Sequence, residues 1–264
     1  MRLVPSLLAL ALAIRPLGAQ MSAAEHNALG DSAHARLDPE EALRHYQAVL
    51  VDDSTNYEAL WKAGRSMVDI AKQIQGDADS LKRRRDSLYS QARAYAEAAV
   101  RVNPNGAEGH FTIAQALGRL SRTRGGKERV RFARIIYDEA NKAIELDSTY
   151  DGAYHVLGAW NAEIKRLSGF TRFFAKTLFG AGFMNKANWD DAQRYLERAV
   201  ELKPQHVYHR LELAEVYIDI GKYTAAREQL TTIATLPVGD VSDPQYKKEA
   251  EDLLEEIKNE KDKT

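Results

Sequence analysis

The stretch from Val207 to Pro237 constrains the fold more than any other. Leu213, Val216, Tyr217 and Ile220 fall on one face at helical spacing. Gly221 follows, and glycine tolerates the left-handed turn that ends a helix. Tyr223, Ala226, Leu230 and Ile233 then make a second apolar stripe, and Pro237, with no N–H to donate, stops it. The pattern predicts two helices joined by a tight turn. One such pair cannot bury its own apolar faces, so the chain must contain others to stack against it.

It does. A helix A with leucine and a small residue at its seventh and eighth positions, followed by a helix B with alanine at the twentieth, is the tetratricopeptide pattern. Leu29-Gly30 open a first unit near 23–56, in which Asp38 is the N-cap and Pro39 the first residue of helix B, with Ala42, Tyr46 and Val49 after it. A second unit near 57–106 carries Leu60, Ala63, Gly64, Met67 and Ile70, then Leu81, Leu88, Ala92, Ala96 and Ala99. A third, near 107–150, has Ile113-Ala114 and then Ile136, Ala140 and Ala143. A fourth, near 151–206, has Leu157-Gly158 and then Ala192, Leu196 and Ala199. The fifth, near 207–240, is the stretch described first. Units two, three and four exceed 34 residues by 16, 10 and 22, each time between helix A and helix B. After Asp240, the stripe Tyr246, Ala250, Leu253, Leu254, Ile257 with lysine and glutamate opposite predicts a C-terminal capping helix within 241–264. The expected fold is all-α: a right-handed α-α solenoid of about five helix pairs, some extended, plus that cap.

Residues 1–19 differ from the rest. Arg2, an apolar run from Leu3 to Ile14 and Ala19 before Gln20 describe a secretory signal peptide, with an organellar transit peptide as the alternative. The expectation is an exported protein, periplasmic or extracellular. The apolar run is short for a membrane span. With no cysteine, the chain has no disulfide, thiolate metal site, catalytic thiol or lipid-modified cysteine. A formal net charge of -1 gives no overall imbalance that points to nucleic acid or an anionic membrane.

Glu108-Gly109-His110, Leu157-Gly158 with Trp160, and Lys165-Arg166-Leu167-Ser168 running on to Thr177-Leu178-Phe179-Gly180 carry a further resemblance. With the extended helices, these residues resemble the regulator-of-microtubule-dynamics family, here in a bacterial-type, exported form, over roughly residues 55–258. Ala181-Gly182-Phe183-Met184 departs from the proline-containing turn usual there. The resemblance implies a helical repeat protein with no catalytic residues to carry over.

No residue pattern asks for a cofactor, a metal or an enzyme's machinery. His206 and His209 stand three apart, a spacing that also suits metal ligands, but no third ligand accompanies them and a surface or packing role is the better reading. Arg119, Arg122, Arg124, Lys127, Arg129, Arg131 and Arg134 crowd one connection; a solvated loop and helix end accounts for them better than nucleic acid. Lys82-Arg83-Arg84-Arg85 reads as a solvated helix face. Phe170, Phe173, Phe174, Leu178, Phe179, Phe183 and Met184 form an apolar cluster outside the repeat positions. It either packs on the extended helices or presents a hydrophobic lip to a partner or a peripheral membrane contact, and packing is favoured.

Helices A line the concave side of such arrays, with their fifth and ninth positions facing the groove. Those positions hold Asn27 and Asp31, Trp61 and Arg65, Phe111 and Gln115, His155 and Ala159, and Leu211 and Glu215. The mixture predicts an aromatic-polar groove for a peptide or protein partner, with Trp61, Arg65, Phe111, Gln115 and His155 as candidate contacts. The competing function is a structural subunit of an envelope or membrane-contact assembly, or a microtubule-associated regulator should the chain not be exported.

Overall fold

A computed structural model describes residues 21–169, 171 and 181–263 of the 264. Residues 1–19, where a signal peptide is expected, and Phe170, Phe173, Phe174, Leu178 and Phe179 lie outside the described residues. The described helices are α1 (Ala23–Ala35), α2 (Pro39–Asp52), α3 (Tyr57–Gln73), α4 (Asp79–Val102), α5 (Ala107–Ser121), α6 (Gly126–Leu146) and α7 (Asp151–Arg166). A 3-10 turn over Ala181–Lys186 precedes α8 (Trp189–Leu202), α9 (Val207–Asp219), α10 (Tyr223–Thr235) and α11 (Asp243–Glu256).

Odd and even helices pair as antiparallel hairpins, α1 with α2 through α7 with α8, then α9 with α10. Helices α3, α5, α7 and α9 also touch in succession, so the A helices form one inner layer and the B helices lie outside it. No strand occurs among the described residues. The fold is an α-α solenoid.

Four connections from a B helix to the next A helix share one hydrogen-bonded form. Asn56, Gly106, Tyr150 and His206 each donate their N–H to the carbonyl three residues earlier, on Asp53, Asn103, Asp147 and Lys203. In the first three, the Asp or Asn side chain also accepts the N–H two residues on, the local bond that makes these residues turn formers. In units two and three the surplus residues lengthen helices, above all the B helices, whereas in unit four α8 keeps 14 residues. α4 has 24 residues and α6 has 21, against 14 for α2.

Each pair is closed where a small residue meets its partner helix. A Cβ on Gly30 would lie 2.5 Å from the Tyr46 ring, one on Gly64 3.0 Å from the Ala92 carbonyl, and one on Gly158 2.5 Å from Leu196 Cγ. Ala42, Ala92 and Ala192 on the partner helices are fully buried, as are Ala214 and Ala226 in the last pair. Gly221 takes φ +77°, the left-handed turn the sequence asks of it. The equivalent corner in the first pair is held by Leu37 at φ 61°, a conformation a leucine adopts at a cost.

The motifs behind the family resemblance serve this packing. Tyr57 Oη donates to Glu108 at 2.9 Å and accepts the Gly109 N–H at 3.2 Å. His110 joins the Glu139 carboxylate on α6 and the Pro104 carbonyl. Trp160 Nε1 donates to the Ala133 carbonyl at 2.8 Å. These contacts lock successive units together and leave none of the three rings free for a ligand. Met184 is buried, and Phe183 packs at its edge against Trp160 with the Arg134 guanidinium 4.2 Å above its ring. The described end of the apolar cluster is therefore packed on the extended helices, with Met184 buried and Phe183 partly buried.

Candidate functional site

The inner layer divides into two regions of different chemistry. The first, over α1, α3 and the start of α5, holds the candidate contacts. Trp61 is half-buried, with Lys62 Nζ 5.6 Å and the Arg65 guanidinium 5.0 Å from its ring centroid. Such cation–ring contacts are worth ~0.5–2 kcal/mol and fix both side chains. Lys62 is spoken for: it donates to Asp31 and to Glu58. Asp31 also accepts the Tyr46 hydroxyl at 2.8 Å. Partial burial would raise the Asp31 carboxyl, but the Lys62 and Tyr46 hydrogen bonds outweigh it and hold the group below its ordinary range. Burial and the Asp31 carboxylate push the Tyr46 hydroxyl up.

Phe111 is also half-buried. Its ring lies 4.9 Å from Tyr150 and over Gly152, where a Cβ would sit 2.6 Å from it. Glycine at 152 is thus what lets Phe111 lie on this face. Arg65 Nε, Gln115 Oε1 and Asn27 Oδ1 are covered atoms with no hydrogen-bond partner among the described residues. A covered polar atom left unpaired costs ~1–3 kcal/mol, so three on one face is a feature to be explained. Arg65 forms no ion pair with any described acid, although its field lowers Asp31 and His34.

The second region lies at the far ends of α3 and α5 and over the start of α9, and the chain's own C-terminus covers it. Lys72 Nζ binds Asp69 at 3.1 Å and Asp240 at 2.7 Å. Gln75 bonds Gln245 at 3.3 Å. Arg119 donates to the Tyr246 hydroxyl at 2.8 Å and lies 5.2 Å from the Tyr208 ring, which stacks on Tyr246 at 4.4 Å. Burial would raise the Asp240 carboxyl, but Lys72 keeps it low. The cap therefore reaches back across the inner layer to units two and three as well as covering the last pair.

Between the two regions sits a histidine cluster. His155 is 7% exposed, with Nδ1 3.1 Å from His209 Nδ1 and its ring 4.5 Å from Tyr208. His209 Nε2 meets Asp151 Oδ2 at 2.8 Å, and His206 stacks on His209 at 3.9 Å. Burial holds all three imidazoles below their ordinary value, His206 at about 3. Among the described residues, no group of three metal-binding side chains is arranged to hold an ion.

Three expectations are corrected here. His155 faces its neighbours and not an open groove, because the start of α9 packs over it. Leu211 is core at 1% exposure. Arg119 is no solvated loop residue, since Tyr208 and Tyr246 enclose it. The remaining basic residues are nearer to expectation: Arg122, Lys127, Arg129 and Arg131 are exposed, and Arg124 is paired with Asp86 at 2.7 Å. Arg83 and Arg84 are exposed, whereas Arg85 donates to the carbonyls of Ile74 and Gly76 and holds the α3–α4 turn. Trp61 and Arg65 on α3, and Phe111 and Gln115 on α5, are each partly exposed on two inner-layer helices that touch.

A family model for Regulator of microtubule dynamics protein 1-3 matches residues 28–258. The chain belongs to this family. It is 27% identical over 203 residues to Regulator of microtubule dynamics protein 1 of Bos taurus, covering 76% of this chain and 62% of that protein. It is 29% identical over 181 residues to Regulator of microtubule dynamics protein 3 of Xenopus laevis, covering 68% of this chain and 38% of that one. This family member thus spans about three-fifths of the bovine relative's length. A solved tetratricopeptide protein of Thermus thermophilus matches the fold with a TM-score of 0.63 at 17% identity, over 87% of this chain and 98% of that one. PilF of Pseudomonas aeruginosa matches with a TM-score of 0.51 at 14% identity, over 89% and 91%. These two likenesses concern the fold alone.

Proposed function

We propose that this protein is a non-catalytic interaction scaffold that holds an extended peptide segment of a protein partner on the inner face of its first three units. The observation that carries the reading is the strip of Trp61, Arg65, Phe111 and Gln115: two half-exposed aromatic rings beside two side chains with unpaired polar atoms. Aromatic and arginine side chains are the types that most often dominate binding energy. The C-terminal segment covers the other half of the inner layer, so the open strip is the part left for a partner. Converting Trp61 and Phe111 together to alanine is expected to abolish partner capture while the helical circular dichroism is unchanged. Capture that survives the double substitution overturns the assignment.

The composition of residues 1–19 supports action after export, as a periplasmic or extracellular protein. A mature N-terminus at Gln20 is the expected result of N-terminal sequencing. An uncleaved chain would instead favour association with microtubules, the subject of the relatives' names, and co-sedimentation with polymerised tubulin would detect it.

A further inference from the structure

We infer that the partner segment presents an aspartate or glutamate side chain to Arg65, next to an apolar side chain that rests on Trp61 and Phe111. This inference rests on the groove reading above and deepens it by naming the chemistry of what is bound.

The argument is one of charge complementarity. Every acid near the strip is already engaged. Asp31 accepts from Lys62 and Tyr46, and Glu58 from Lys62. Glu108 accepts from Tyr57, Asp69 pairs with Lys72, and Asp151 with His209. Arg65 is left without an ion pair among the described residues, with its guanidinium held against the Trp61 ring. Its Nε is covered while the residue is half-exposed, so the exposure belongs to the rest of the side chain. A guanidinium immobilised on a ring has little ordering left to lose, and its planar fork matches a carboxylate.

The surroundings fix the direction of approach. Lys62 with its two carboxylates makes a cluster with one more negative than positive charge on the α1 side of Arg65. That cluster repels a second acid, so the partner's carboxylate must come from the α5 side. Gln115 stands there, with an amide oxygen that has no donor. Phe111, in the same helix, gives the neighbouring apolar side chain its platform.

The test is selection of a random phage-displayed peptide library on the full mature chain, followed by fluorescence polarisation of the enriched peptides as labelled synthetic probes. The expected peptides carry an Asp or Glu within two positions of an aromatic or branched apolar residue. Exchanging that acid for its amide is expected to weaken binding to the unaltered chain about tenfold, the size of one charge-assisted hydrogen-bonded contact. The same exchange is expected to change nothing for Arg65→Gln, and Arg65→Lys is expected to fall between. Circular dichroism of both variants verifies that each is folded. Enriched peptides without an acid, bound equally by Arg65→Gln but lost by Trp61→Ala/Phe111→Ala, overturn the acidic inference and leave the groove standing. Peptides bound equally by the double variant overturn the groove and the inference with it. So does an absence of enriched peptides together with flotation on phosphatidylglycerol vesicles, which makes a lipid surface the occupant.

Discussion

Gly158→Ala separates two opposing effects whose sizes can be worked from the structure. Alanine inside a helix is favoured over glycine by ~1 kcal/mol, so propensity alone predicts a more stable protein. Against this, the added Cβ would lie 2.5 Å from Leu196 Cγ and 3.1 Å from the Ala192 carbonyl oxygen. The first contact is about 0.9 Å short of an ordinary one. Leu196 is fully buried and Ala192 presents backbone, so α7 and α8 must move apart. Overpacking of this kind costs ~1–3 kcal/mol. The net expectation is no gain and a loss of up to ~2 kcal/mol in urea denaturation followed by circular dichroism, read from the midpoint at an unchanged slope. Gly118→Ala is the control. It lies inside α5, and a Cβ there meets nothing within 4 Å, so the same exchange should stabilise by ~0.5–1 kcal/mol. A Gly158→Ala protein stabilised as much as Gly118→Ala would refute the claim that the eighth position sets the spacing of this pair.

The C-terminal segment and the histidine cluster give two further expectations. Asp240→Asn leaves Lys72, with a side chain only 8% exposed, with Asp69 alone; a loss of ~1–3 kcal/mol is expected, with faster amide exchange in α11 than in α10. His206, held down to about 3 by burial, is neutral in the folded chain and protonates in the unfolded chain near pH 6.5. Its stabilisation is complete above pH 6.5 and is lost progressively as pH falls toward 3, by ~2 kcal/mol between pH 7 and 5. Glu215 shifts the opposite way, pushed up by burial and by Glu212 against the pull of Arg166, and it gains as pH falls. That contribution is common to both proteins, so the fall in stability between pH 7 and 5 should be ~1–2 kcal/mol smaller for His206→Gln, and an unchanged fall would contradict the buried neutral ring.

How far these features were legible depends on whether they are local. Helix pairs are written in near-neighbour spacings, and Gly221 takes its left-handed turn where the sequence places one. Leu37 takes the same conformation with no residue type to announce it. Trp61, Arg65, Phe111 and Gln115 share a strip because the repeat register carries positions five and nine from unit to unit. That register is blind to the pitch of the stack. It placed His155 and Leu211 on an open face, but the start of α9 packs over His155, and Leu211, on α9 itself, is buried in the core shared with α8, α10 and α11. The contacts of Asp240 with Lys72 and of Tyr246 with Arg119 join residues 168 and 127 apart. No motif marks them, because they arise from how far the array turns in five units. Arg119 showed the same limit: in sequence it is one of seven crowded basic residues, and only its tyrosine neighbours distinguish it.

The central claim is that the partner lies on Trp61 and Phe111. The chain has three tryptophans, and their indole N–H signals report on three places. Trp61 lies on the strip, Trp160 is buried with its N–H on the Ala133 carbonyl, and Trp189 begins α8. In nitrogen-15 NMR spectra of the protein titrated with an enriched peptide, the Trp61 signal should move with saturation while Trp160 and Trp189 stay in place. Saturable binding of that peptide with the Trp61 signal unmoved would contradict the account.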